Sequence, residues 1–380
     1  MKKAKIFIYC IPQLNESSYI LYYMEALELL GYEVHSLFNK DVLNNLGELY
    51  KNMDYWKSFD YIFFSGFSGM NYLQYQGQNN FFPIEAGVRF GYLCFDNMCR
   101  YGNSLKYLKD SNPDFFVCDS KEVEEMKEFG FKNSYFTPTC FSPNISKPGP
   151  VNQDLNYNVV FPGTFIAPES IYDKQRGPMA GLNIFEQKMI DEFHAIRSRG
   201  RYYDYHRFLV DRGVMPEHSE YNKMAMALIL IQKYLLRIEL FKSVVETGED
   251  IHIFGSGDAR PKSPKVIMHP NLDQLRELPD LYRSAKIITS IELHPNSSHQ
   301  RFAESAGCKG FFLGEGKPDE NYCFENIVQW NNLEDLKEKI KYYLANEDER
   351  LKIAQLCHDE AMSRHTNVIR MQEILNIIGI

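Results

Sequence analysis

No run of the 380 residues is long and apolar enough to read as a membrane span, which needs about 20 consecutive apolar positions. The apolar start, Ala4 to Cys10, is too short for a signal peptide and stops at Pro12. The eight cysteines include no Cys-x-x-Cys pair and mostly stand in apolar strand contexts. They argue against a zinc site and read as buried reduced thiols of a cytosolic protein. Positive charge is not in excess: the net charge is −8, a field that favours neither nucleic acid nor an anionic membrane. A dinucleotide fingerprint is missing as well. Gly255–Ser256–Gly257 follows an apolar run but lacks the third glycine and the helix start.

What is present is a repeated alternation of short buried strands with helices. The first half places strands at 4–10, 33–38, 61–65, 89–95, 115–118 and 134–137. Ser17 to Gly31 has apolar positions at helical spacing, and Gly31 stops it. Gln74 to Asn80 is a polar loop. The segment 143–158 holds three prolines and no periodicity, which predicts a linker. Strands resume at 159–161, 251–254, 266–268, 286–293, 311–313 and 327–330. Such alternation predicts α/β architecture: two doubly wound Rossmann-like domains, 1–150 and 151–364, followed by a terminal helix at 365–380. Residues 165–248 read as a helical insertion, with helices over 186–197 and 221–245. In it Tyr202, Tyr203, Tyr205, His206 and Phe208 cluster with Arg199, Arg201 and Arg207, either as packing or as a stacking platform. Asn332 to Asp335 has the form of a helix cap.

The stretch Ser290 to Gly316 organises the second half. A strand ends in the small polar loop His294–Pro295–Asn296–Ser297–Ser298. A short helix carrying Gln300, Arg301, Phe302 and Glu304 follows, Gly307 is expected to end it, and Phe311 to Leu313 form the next strand. A polar loop at the carboxyl end of a parallel strand, feeding a helix N-terminus, is suited to an anion. Glu304, one turn in, is placed either to accept from a ribose diol or to be an ordinary solvated helix charge.

The pattern Asn296–Ser298, Arg301–Phe302–Ala303–Glu304, Ala306–Gly310 and Phe311–Leu313 resembles the donor motif of the GT-B glycosyltransferases. More narrowly it is similar to the group known as spore maturation protein, CgeB-like, with Tyr342–Leu344, Asp348–Arg350 and Arg364–Thr366 continuing the likeness. That resemblance implies a sugar transferred from a nucleoside diphosphate donor, with uridine or guanosine as the base, to a glycan, protein or small-molecule acceptor. It implies no bound metal and no cofactor besides the donor substrate. Donor contacts are implied at Gly163, Thr164, Gly255, Ser256, Gly257, Pro270, Asn271 and Leu272, then at His294, Asn296, Ser297, Ser298, Gln300, Arg301, Phe302 and Glu304. Arg301 or Arg176 would meet diphosphate charge, and the terminal helix would brace the N-terminal domain. The acceptor base is expected in the first half, with Asp96, Asp119 and Glu16 as candidates; Asp119–Ser120 also reads as a helix N-cap. Asn296 stands where many retaining members have the first of two glutamates spaced E-x7-E, so the stereochemical outcome stays open. A nucleotide-sugar epimerase of the same fold and a non-catalytic sugar-nucleotide binder are the alternatives.

Overall fold

The computed structural model describes residues 4–10, 17–66, 81–96, 105–108, 110–166, 170, 173, 180–197, 204–216, 218–257, 263–291, 294–297 and 300–380. The candidates Glu16, Arg176 and Ser298, the loop 74–80, and Arg199, Arg201, Tyr202 and Tyr203 lie outside them. Two compact units account for the chain. One comprises 1–140 and 365–380; the other is 141–364.

The first unit is a parallel six-stranded sheet in the order β2-β1-β3-β4-β5-β6. Its strands are β1 (Lys5–Tyr9), β2 (Glu33–Ser36), β3 (Tyr61–Ser65), β4 (Phe90–Cys94), β5 (Asp114–Val117) and β6 (Ser134–Phe136). The helices among them are α1 (Ser17–Leu29), α2 (Lys40–Asn44), α3 (Leu46–Leu49), α4 (Met53–Lys57), α5 (Phe82–Ala86) and α6 (Ser120–Glu128). A parallel sheet is stable only with both faces covered, so its strands are apolar throughout rather than alternating. Ile62, Phe64, Tyr92, Phe115 and Val117 pack with Trp56, Phe59, Phe81 and Phe82 on one face. Ile6, Ile8, Tyr61, Phe63, Leu93 and Phe116 pack on the other, against Ile20, Tyr23 and Leu27 of α1.

The second unit repeats the plan in the order β12-β11-β10-β7-β8-β9. Here β7 is Val159–Pro162, β8 Ile251–Phe254, β9 Val266–His269, β10 Ile287–Thr289, β11 Phe312–Glu315 and β12 Val328–Trp330. Its helices are α7 (Ile184–Arg197), α8 (Tyr205–Val210), α9 (Ser219–Glu246), α10 (Leu278–Ser284), α11 (Gln300–Gly307), α12 (Pro318–Cys323), α13 (Leu333–Ala345) and α14 (Glu347–Arg364). The chain ends in α15 (Asn367–Ile378), which belongs to the first unit. There its Met371, Ile374, Leu375 and Ile378 complete the core beside α1. In the second unit Leu236, Leu240, Phe241 and Val244 of α9 cover one face of the sheet together with Leu336 and Ile340 of α13.

All twelve strands read from the sequence are present, and the fold is the expected α/β pair of parallel sheets. Two local expectations change. The 143–158 segment is packed into the second unit: Arg283 Nη1 donates to the Lys147 carbonyl at 3.0 Å, and the Asn152 N–H donates to Ser284 Oγ at 2.9 Å. Gly307 does not terminate its helix in a left-handed conformation, since that role falls to Lys309, with φ of 60°. The Gly310 N–H then returns to the Ser305 carbonyl at 2.8 Å, closing the helix end. Gly307 is small for another reason: a Cβ there would lie 2.5 Å from the Phe141 ring and 2.8 Å from the Ser146 carbonyl. Among the described residues no helix is long and apolar enough to cross a membrane, and the seven cysteines are buried free thiols.

Candidate functional site

In the second sheet the chain runs from β7 outward through β8 and β9, then returns to lay β10, β11 and β12 on the other side of β7. Where strand order reverses, two loops leave in opposite directions and open a crevice at the carboxyl ends of β7 and β10. Register puts Ile287 and Ile288 beside Val159 and Val160, so the chain beyond Pro162 and beyond Ser290 emerges at that crevice. The sequence-predicted donor residues Gly163, Thr164, His294, Asn296, Ser297 and Gln300 stand there, with Gly255, Ser256 and Gly257 on the next strand.

The glycines have a structural cause that the sequence did not disclose. The Gly163 N–H donates to the Phe254 carbonyl at 2.9 Å, and the Phe165 N–H to the Ser256 carbonyl at 3.0 Å. The loops after β7 and β8 are therefore zipped backbone to backbone. A Cβ on Gly255 would lie 2.2 Å from the Gly163 carbonyl oxygen, and one on Gly257 (φ +151°) 1.7 Å from that of Phe165. Loop against loop, rather than close approach of a ligand, is what demands glycine at these positions. Thr164 Oγ1 and Ser256 Oγ lie 3.3 Å apart at the rim.

Beneath the turn sits Arg237 of α9, 2% exposed, which the sequence reading passed over as part of a packing helix. Its Nη1 donates to the Thr164 carbonyl, and the guanidinium lies 5.1 Å from the centre of the Phe161 ring. An arginine flanked by Leu235, Leu236 and Ile238 in this helix was the available signal.

Glu304 is 1% exposed, so it is not the solvated helix charge of the simpler reading. Tyr282 Oη donates to its Oε2 at 3.3 Å and Gln274 Nε2 to its Oε1 at 3.5 Å. Burial pushes the neighbouring Cys308 thiol up to about 12, and the Glu304 charge adds in the same direction. On α11, Phe302 is buried against Phe312 and Phe324, a packing role, while Arg301 is half-buried.

Pro270 and Asn271 are exposed beyond β9, and Leu272 is half-buried. Behind them His252 Nδ1 and His269 Nε2 are 2.8 Å apart, with Tyr157 stacked on His252 at 3.8 Å and Phe254 on His269 at 4.4 Å. Burial lowers both imidazole pKa values.

The candidate bases Asp96 and Asp119 follow the neighbouring parallel strands β4 and β5, whose register sets Cys94 beside Val117. Asp96 follows β4, half-buried. Asp119 is fully buried, and its Oδ1 caps α6 by accepting from the Lys121 N–H at 2.8 Å and the Glu122 N–H at 3.1 Å. In the insertion, His206 Nδ1 meets Tyr221 Oη at 2.6 Å and Phe193 packs edge-on to Phe208, while Arg207 is exposed and pairs with Asp211 at 2.9 Å.

Two parallel six-stranded sheets with this strand order, the second carrying an anion-suited crevice, define the GT-B glycosyltransferase fold. Residues 237–376 match the sequence profile of the family described as Glycosyl transferase-like. Similar solved structures include Anabaena Alr3699/HepE in complex with UDP-glucose, at 12% identity, covering 98% of each chain, with a TM-score of 0.56. Sucrose-phosphate synthase from Thermosynechococcus elongatus is similar at 11% identity over 99% of this chain and 98% of that one, with a TM-score of 0.53. The DNA-modifying enzyme beta-glucosyltransferase is similar at 13% identity, 99% and 100% coverage and a TM-score of 0.51. No curated protein matches the sequence.

Proposed function

We propose that this protein is a glycosyltransferase that takes a hexosyl group from a uridine or guanosine diphosphate sugar and passes it to an acceptor hydroxyl. The observation that carries the reading is the buried Glu304 carboxylate one turn into α11, behind the loop at the crevice of the second sheet. There it would accept from the ribose hydroxyls, while the loop and the first turn of α11 face the diphosphate. Arg237 and Arg301 would offset the charge that grows on the leaving diphosphate, so the reading calls for no metal. Exposed Pro270 and Asn271 would lie along the base. Asp96 is retained as the base that deprotonates the acceptor, because Asp119 already serves as a cap. A CgeB-like affiliation and a cytosolic location belong to the same proposal. The UDP and UDP-glucose held by the HepE structures support the donor class.

Titration calorimetry with UDP and with GDP tests the site. One of them should bind, and Glu304→Ala should weaken it at least tenfold, the loss of a hydrogen-bonded charge costing about 1.5–3 kcal/mol. Unchanged affinity in the variant would remove Glu304 from the donor site. Turnover of a nucleotide-sugar panel with acceptors present then separates a transferase from an epimerase or a passive binder.

A further inference from the structure

We propose that the buried pair Lys317 and Glu315 is a positioning device for the loop His294–Ser297. The proposal rests on the reading of that loop as the donor loop. Between the end of β11 and the first turn of α12, four ionisable side chains are buried within six residues: Glu315, Lys317, Asp319 and Glu320. The side chains of Lys317 and Glu315 are 1% and 2% exposed and stand 3.9 Å apart. Lys317 Nζ donates to the His294 carbonyl at 2.6 Å. Two residues on, the Asp319 N–H donates to the Asn296 carbonyl at 2.9 Å. Asp319 is in the first turn of α12, so this N–H is one that the helix itself leaves without an acceptor.

The loop is thus pinned at alternate carbonyls by a corner of the neighbouring strand. In a trans peptide the N–H points opposite to the C=O, so pinning the Asn296 carbonyl fixes the Ser297 N–H on the side away from that corner. Lys317 sets the first of these carbonyls and Glu315 balances the lysine charge. The chain continues past Lys317 through its own carbonyl, which accepts from Gln329 Nε2 at 3.3 Å. Gln329 also donates to Glu320 Oε2 at 2.6 Å, which anchors the corner to β12.

Stability alone does not account for the pair. Burying two opposite charges costs desolvation that their attraction only partly returns, and apolar side chains of similar shape generally serve a core as well or better. A lysine kept here is explained by the carbonyl it holds. Loop geometry of this kind governs affinity steeply, since misplacing binding groups by about 1 Å costs up to roughly a hundredfold.

The test is the double variant Glu315→Gln/Lys317→Met, which removes both charges and keeps both shapes. UDP and GDP binding is measured by calorimetry, Tm by differential scanning calorimetry, and amide hydrogen exchange on the peptide carrying 294–297. The expected result is a Tm held or raised, exchange in that peptide faster, and affinity for the nucleotide that the wild type binds lower by about tenfold or more. Equal affinity and equal exchange, with the wild type binding, would overturn the positioning role and leave the donor site standing. If the wild type binds neither nucleotide, the donor reading itself fails and takes this inference with it. The single variant Lys317→Met leaves Glu315 buried without its lysine; a lower Tm there and not in the double variant confirms that the two charges act as a pair.

Discussion

Replacing Gly255 by alanine puts one methyl group where the loops after β7 and β8 meet. The new carbon would lie 2.2 Å from the Gly163 carbonyl oxygen and 3.0 Å from the Thr164 nitrogen, where ordinary contact begins at 3.4 Å. The obstacle is main chain, so no rotamer change relieves it, and the loops must part by about 1 Å. Their joining bonds, 2.9 Å at Gly163 and 3.0 Å at Phe165, then exceed hydrogen-bond range. Each lost bond costs about 1 kcal/mol net, and the overpacking about 1–3 kcal/mol. A total near 3–5 kcal/mol corresponds to a fall of about 6–20 °C in the transition of a unit this size. Because the same loops line the crevice, nucleotide affinity should fall as well. Calorimetric melting and UDP or GDP titration of the purified variant measure both quantities. Gly47→Ala is the control: its Cβ meets nothing within 4 Å, inside a helix, so that variant should melt within about 1 °C of the wild type or slightly above it. A Gly255→Ala protein with unchanged Tm and unchanged affinity would refute the loop-on-loop account.

Three further outcomes are expected. Burial lowers the pKa of His252 and of His269, so the folded state binds fewer protons than the unfolded chain just below the ordinary histidine value of about 6.5. Their contribution is complete above that pH and is lost as pH falls through it; urea midpoints from pH 8 to 5 should decline, and less steeply in His269→Gln. Asp119→Ala should cost about 1 kcal/mol as a lost cap while Asp119→Ser restores most of it, with transfer activity retained in both; a hundredfold loss of activity in the folded serine variant would instead make Asp119 catalytic. Cys308 and Cys357, both pushed up to about 12 by burial, should resist alkylation at pH 8 in the native protein and react once unfolded, as peptide mass spectrometry will show.

The sequence by itself determined the strands and the class of fold. Buried parallel strands announce themselves as short β-branched and aromatic runs, as at Tyr61–Ser65 and Ile251–Phe254, because both of their faces must be apolar. Caps are equally local: Asn332 accepts from the Asp335 N–H at 2.9 Å as its side-chain spacing implied. Tertiary structure alone decided why particular residues occupy the crevice. Gly255 and Gly163 are 92 positions apart in the chain and meet only when β7 and β8 pair; Gly307 answers to Phe141, and Lys317 to the carbonyl of His294. Arg237 looked like one more charge on an amphipathic helix until β7 was laid beside it. Periodicity is written in neighbours along the chain, whereas steric exclusion and buried charge depend on neighbours that the crossover connections bring together, and no local pattern encodes those.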